Sequence, residues 1–164
     1  MNDENILDIY STEPYPSDAL SNFYPHAFEI DGVPCASMEG FLQSLKTKNT
    51  ALQEQVCGLA KKEAKFFFSR KIQNLRWKLT GNLYWKGKAV KRTSDEYQLL
   101  LDRAYEALYT NPAFVKALID SDGKRLTHKC GKHDTGKTVL TEYEFISRLL
   151  KLRARALGEG SAHE

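Results

Sequence analysis

A chain of 164 residues, 41% hydrophobic and 27% charged, carries enough apolar material for one buried core without disulfide or metal staples, which excludes a disordered chain. No apolar run approaches a membrane span, and the start Met1-Asn2-Asp3-Glu4-Asn5 lacks the basic head and apolar stretch of a secretory leader, so a cytoplasmic location is expected, with the nucleus open to a eukaryotic source. The net charge of +3 hides an asymmetry: residues 61–92 hold eleven Lys and Arg against the single acid Glu63, a local balance of +10 that leaves −7 for the remainder.

Along the chain, residues 6–11 alternate apolar and polar and predict a strand, followed by a Pro- and Ser-rich loop over 12–19. Asp31-Gly32 between the apolar runs 27–30 and 33–35 predicts a tight hairpin, with Pro34 placing its strand at an edge. Ser37 is the expected N-cap of a helix through Lys46, and a second helix is expected from Thr50 to about Lys65 with Leu52, Val56 and Leu59 inward. Residues 77–91 show no clear period and read as irregular.

From Ser94 the spacing of Tyr97, Leu100, Leu101, Ala104 and Leu108 predicts a long helix, and Asn111-Pro112 ends it and caps the next, which Asp122-Gly123 closes. A strand over 126–130 and a polar loop over 131–137 lead to a last helix, announced by a Thr141/Glu144 capping box and a Leu140/Phe145 staple. The expected architecture is α+β, a predominantly helical single domain over 1–157 around a small, mostly antiparallel sheet, with 158–164 a flexible tail. Cys35, Cys57 and Cys130 are odd in number and widely spaced, which predicts buried or idle thiols rather than a disulfide framework.

The segment 37–46 carries the most chemistry. On a helix Glu39, Gln43 and Lys46 share one face, while Met38, Phe41, Leu42 and Leu45 cover the others, so the polar stripe is expected to line something polar rather than open water. The helix dipole favours an ionised Glu39, suited to a base or to stabilising a cation. Ordinary dipole pairing of a first-turn acid with a last-turn lysine is the competing explanation. The cations of 61–92 are interleaved with Phe66, Phe67, Phe68, Trp77, Tyr84 and Trp85, a mixture that suits a polyanion with stacking bases and equally describes a solvated surface above a core.

Leu20-Ser21-Asn22-Phe23-Tyr24-Pro25, then the Asp31-Gly32 hairpin, then Ser37-x-Glu39 and Gln43-x-x-Lys46, resembles in order and spacing the N-terminal signature of the NADAR (YbiA-like) family. The resemblance is strong over 21–46, loose through the Lys-rich middle and Trp85, and moderate at the C-terminal helix ending Leu152-Arg153. It implies an α+β domain with a pocket for ADP-ribose or a ribose phosphate, and no cofactor. The implied activity is N-glycosidic hydrolysis: removal of ADP-ribose from guanine in nucleic acid, or cleavage of phosphoribosylamino-pyrimidine intermediates of riboflavin synthesis. A module that binds ADP-ribose without cleaving it is the non-enzymatic alternative. By resemblance Glu39 matches the essential glutamate, and Asn22, Phe23, Gln43 and Lys46 match the pocket-forming positions; Tyr24 and Trp85 are further candidate substrate contacts.

In both substrate classes the sugar carbon is bonded to an exocyclic amine, so a neutral Lys46 with Glu39 as proton carrier suits a Schiff-base route. The expected partners are thus ADP-ribosylated nucleic acid or a ribose-phosphate small molecule, with no membrane.

The chain departs from the family where many relatives have a Trp-Gly-rich segment before the last helix and it has Thr127-His128-Lys129-Cys130-Gly131-Lys132-His133-Asp134. This reads as a variant lid, with His128, His133 and Asp134 as candidate substrate contacts. The run from Gly131 to Gly136-Lys137-Thr138 spells a phosphate-binding loop, but the polar run before it and the 26 residues after it argue against a nucleotide triphosphatase. His128, Cys130 and His133 lack a fourth metal ligand at normal spacing.

Overall fold

Asp31 and Gly32 both take positive φ, 50° and 79°, the geometry that lets an Asp-Gly pair close a two-residue hairpin with the twist of its strands. In the computed structural model, which describes residues 3–161, this turn joins β2 (Phe28–Ile30) to β3 (Val33–Cys35), and Pro34 sits on an edge as expected. Before them come a short 3-10 turn (Asp3–Asn5), β1 (Ile6–Asp8) and the four-residue α1 (Ser17–Leu20). Ser37 caps α2 (Met38–Ser44), accepting from the Gly40 amide at 3.0 Å.

The helix expected from Thr50 to Lys65 is two helices. Asn49 caps α3 (Thr50–Cys57), the chain breaks at Gly58, and α4 (Lys61–Lys65) restarts after Lys61 takes φ 55°. Close packing explains the break: a side chain at Gly40 would bring its Cβ to 2.4 Å from the Leu59 carbonyl oxygen and 2.9 Å from that of Cys57, so α2 lies backbone to backbone against the end of α3. Ser37 donates to the Leu59 oxygen at 2.8 Å and fixes that contact.

Residues 77–91 are regular, contrary to the sequence expectation. Helix α5 (Ile72–Thr80) ends at Gly81, whose φ of 72° supplies the left-handed cap, and β4 (Asn82–Trp85) and β5 (Lys88–Lys91) form a second hairpin through Lys86-Gly87, at φ 51° and 83°. The frequent lysines and arginines of this stretch break its apolar pattern and mask both elements. Helix α6 (Asp95–Leu108) begins at the Ser94 cap, and Asn111 caps α7 (Pro112–Asp120), both as expected. Strand β6 (Arg125–Thr127) is shorter than expected and pairs in parallel with β1. Helix α8 (Glu142–Ser161) continues past Gly158, where a tail was expected; 162–164 lie outside the described residues.

The architecture is therefore α+β, helices carrying, among the described residues, three separate two-stranded ribbons in place of one small sheet, two antiparallel and one parallel. Each ribbon is three or four residues long, and its apolar side meets helices: β2 packs on α6, β3 on α3, β6 on α8. Phe41, Leu45, Tyr97, Leu101, Ala104, Phe145 and Leu149 occupy one hydrophobic core shared by α2, α6 and α8. No helix among the described residues is long and apolar enough to cross a membrane.

Candidate functional site

Because Met38, Phe41, Leu42 and Leu45 bury α2 on three sides, its polar stripe is left facing the one direction the core does not fill. There a cleft of about 350 Å³ opens, with Glu39, Leu42, Gln43 and Lys46 as its floor. Ser21, Asn22 and Phe23 form one wall, tied to the start of α2 because the Glu39 amide donates to the Asn22 carbonyl at 3.0 Å. The Asn22 side chain is held from behind by the buried Tyr105, whose hydroxyl donates to Oδ1 at 2.9 Å. Lys65, Phe66, Asn74 and Lys78 from α4, α5 and their connection form a second wall, and His128, Lys132, Lys137 and Thr138 close the third.

Glu39 is the single acid in this lining, against five lysines: 46, 65, 78, 132 and 137. Desolvation, the largest effect on Glu39, raises its pKa; the hydrogen bond from Gln43 Nε2 to Oε1 (3.0 Å) and the charges of Lys46 and Lys65 offset it only in part. The sequence leads one to expect a dipole-favoured carboxylate, whereas burial moves Glu39 in the opposite direction, toward a raised pKa. Burial likewise brings the Lys46 ammonium down to about 8, helped by Lys78 and Lys132 and opposed by Glu39. The Lys46 amine donates to Asn74 Oδ1 at 3.1 Å, and the same oxygen accepts from Trp77 Nε1 at 3.4 Å. An indole nitrogen can only donate, so Trp77 fixes the Asn74 amide with its oxygen toward Lys46. A carboxyl raised by burial and an amine that is partly neutral near physiological pH thus share the floor of a cation-lined cleft, suited to acid–base or imine chemistry on an anionic substrate.

The structure brings Asn22, Phe23, Glu39, Gln43 and Lys46 together, and His128 with them. Four other candidates lie elsewhere. Trp85 is a core residue, 6% exposed, stacked edge-on against Phe41 and donating Nε1 to Asp31 at 2.8 Å, so its expected place in the pocket is corrected to a hairpin anchor. Tyr24 borders a neighbouring shallow groove with Lys61 and Lys62. His133 is exposed on the outer side of its loop, 3.6 Å from Glu142, and Asp134 turns back to accept from the Gly136 amide at 2.8 Å.

Sequence reasoning missed Asn74, Lys65 and Lys78. Asn74 and Lys78 stand four apart on one face of α5, a visible signal had that segment been read as helical. The variant-lid segment 127–134 lines the cleft through His128, Cys130, Gly131 and Lys132, and Lys137 and Thr138 follow it there, but not as a phosphate-binding loop: among the described residues β6 is a short strand paired only with β1, and α8 starts four residues beyond Thr138. Of the aromatics among the 61–92 cations, Phe68, Trp77 and Trp85 are buried, while Phe66 stays exposed at the rim. Arg92 is buried as well; the other ten cations of the segment are exposed, as are Ile72, Leu75 and Leu79 on α5.

Arg92 anchors the third wall. Its Nε donates to the Thr138 carbonyl at 2.9 Å, and its two terminal nitrogens clasp Glu144 at 3.0 and 2.5 Å. Tyr97 donates its hydroxyl to the Val139 carbonyl in a short bond, and the Thr141/Glu144 capping box closes with bonds of 2.8 and 3.2 Å. The loop is thereby sewn onto α6 and α8.

A family model described as bacteriophage protein GP30.3 matches residues 14–154. An uncharacterized 17.1 kDa protein of the Gp30-rIII intergenic region of Enterobacteria phage T4 is 38% identical over 152 residues, covering 90% of this chain and 96% of the relative. Among solved structures, the NMR structure of the Escherichia coli protein YbiA superposes with a TM-score of 0.63 over 100% of this chain and 92% of that one, at 15% identity. The likeness to YbiA is one of fold, the α+β fold that the resemblance in 21–46 implies.

Proposed function

The chain belongs to the bacteriophage GP30.3 family and has the NADAR (YbiA-like) fold, and from that premise we propose that it is an N-glycosidic hydrolase that removes ADP-ribose from guanine bases of nucleic acid. One observation carries the reading: Glu39, Gln43 and Lys46 lie side by side on the floor of a cleft whose other charged groups are lysines, with the Lys46 amine brought down to about 8. Lysines on the walls suit the phosphates of the substrate, and Phe23 and Phe66 put aromatic rings beside them in the lining, suited to a base. The exposed cations of α4 and α5 beside the cleft, interspersed with Phe66, Ile72, Leu75 and Leu79, suit a nucleic-acid strand leading into it.

The chemistry follows from the exocyclic amine on the sugar carbon. Its lone pair expels the ring oxygen, which takes a proton from Glu39, and an imine forms at C1. Neutral Lys46 adds to that carbon, and the base amine leaves with a proton returned through Glu39. Water then attacks the lysine imine, releasing the sugar as its aldehyde, which recloses to the hemiacetal, and regenerating the Lys46 amine. One hard cleavage becomes several easier ones. Incubation with an ADP-ribosylated guanine oligonucleotide tests it: wild-type protein releases ADP-ribose, E39A does not, and borohydride added during turnover fixes a mass adduct on Lys46. Release without an adduct would leave Glu39 as the base for direct attack by water and Lys46 as a phosphate contact.

A cleft of about 350 Å³ is at the small end for ligand pockets and favours a second substrate of the same reaction class, a phosphoribosylamino pyrimidine. Cleavage of that compound with no release from the oligonucleotide would select it.

A further inference from the structure

We propose that the side-chain oxygen of Gln43 receives the sugar hydroxyl next to the reacting carbon, which makes the cleft specific for ribose over 2-deoxyribose. Gln43 is 7% exposed and lines the cleft. Its Nε2 is committed to Glu39 Oε1, so the amide is turned with its oxygen away from the carboxylate, and that oxygen has no hydrogen-bond partner among the described residues. The other two buried side-chain atoms in that condition are guanidinium nitrogens of Arg148 and Arg155 on α8, outside the cleft and paired electrostatically with Asp102 and Glu106. Buried acceptors are nearly always satisfied, so an orphan oxygen on a residue that lines a cavity marks a place for a donor that arrives with the ligand.

Position on the helix identifies the donor. Gln43 stands one turn from Glu39 and one turn from Lys46, between the proton carrier and the amine. A sugar held with C1 against those two groups brings its C2 hydroxyl to the residue between them. A hydroxyl lost at a site made to bond it leaves the protein acceptor unpaired, and discrimination is then far steeper than for a missing methylene.

The inference rests on the cleft being a ribose-phosphate site, and the test separates the two. Methyl ribofuranoside 5-phosphate and its 2-deoxy counterpart, locked rings that cannot form an imine with Lys46, are titrated into wild type, Q43L and Q43E by calorimetry. Inorganic phosphate serves as the control for the lysine walls. Wild type should prefer the ribo compound by about tenfold to a hundredfold. Q43E, which keeps acceptor oxygens, should retain the preference, and Q43L should bring the two ligands within about twofold while phosphate binding is kept. If wild type binds neither glycoside, the ribose-phosphate reading fails. Should wild type bind both equally, or should a folded Q43L still discriminate, that reading stands and the assignment of Gln43 is overturned; equal binding would point to the N–H of the departing amine as the donor.

Discussion

Glu39 and Glu144 occupy similar places, each a glutamate in the first turn of a helix behind a hydroxyl cap, Ser37 in one case and Thr141 in the other. Their surroundings drive them in opposite directions. Burial raises both, but around Glu144 hydrogen bonds from Arg92, from Gln98 (2.6 Å) and from the Thr141 amide outweigh it and hold the carboxyl below the usual range. Glu39 receives one neutral amide bond and the charge of nearby lysines without an ion pair among the described residues, and burial wins. The helix position, common to the two, decides neither outcome. The two carboxyls differ in how many lone pairs the protein takes: Glu144 accepts from Arg92, Gln98 and the Thr141 amide, Glu39 from Gln43.

The same isosteric change at the two acids separates their roles. E39Q should lower the rate of release from ADP-ribosylated guanine by about 10²–10⁴-fold while the melting temperature holds or rises, since a buried carboxyl is exchanged for a neutral amide. E144Q should do the reverse. Leaving Arg92 without its buried counter-ion costs about 3–5 kcal/mol, a fall of roughly 10 °C in melting temperature, and the protein that remains folded at low temperature should keep its catalytic competence. Calorimetry and single-turnover rates on both variants decide it; an unstable E39Q would mean that Glu39 is structural.

Much of this contrast was legible in the sequence, for local reasons. The Asp31-Gly32 turn, the caps Ser37, Ser94 and Asn111 and the Thr141/Glu144 box are set by residues within four positions of one another, and the polar stripe of α2 follows from helix periodicity. Burial is another matter. That the Glu39 pKa is raised depends on desolvation by the surrounding fold, which no local pattern in the sequence reports. Trp85 looked like a ring offered to a base, yet its indole nitrogen finds Asp31, 54 residues away. Asn74 went unseen because lysines and arginines obscure the period of α5, and its contact with Lys46 spans 28 positions.

Opposite shifts also give opposite pH dependence of stability. A raised carboxyl favours the folded state below the unfolded value of 4.5, and that contribution is lost as pH rises through the folded pKa; Glu144, held low, contributes above the unfolded value and its contribution is lost as pH falls through its folded pKa. Melting curves of wild type against E39Q should therefore diverge toward neutral pH, with E39Q the more stable there and the two alike near pH 4. E144Q should differ most from wild type at neutral pH and converge on it in acid. Parallel curves for E39Q and wild type would contradict the burial of an acid at the cleft floor.

The smallest expected effect tests whether Asn74 acts through Lys46. If the reaction uses the neutral amine, the rate should rise through a midpoint near 8, where burial has brought Lys46. N74D sets a carboxylate against the same ammonium and favours its charged form, so the midpoint should move up by about one unit and the rate at pH 7 fall by about tenfold, with recovery in base. N74L removes the bond without adding charge, so its rate should fall with no upward movement of the midpoint. A residue that served only to hold α5 in place would change the melting temperature in both variants and leave the midpoint where it was. An unmoved midpoint in a folded N74D would show that the rate does not depend on the charge of Lys46, and would shift the weight of the mechanism to Glu39 and water.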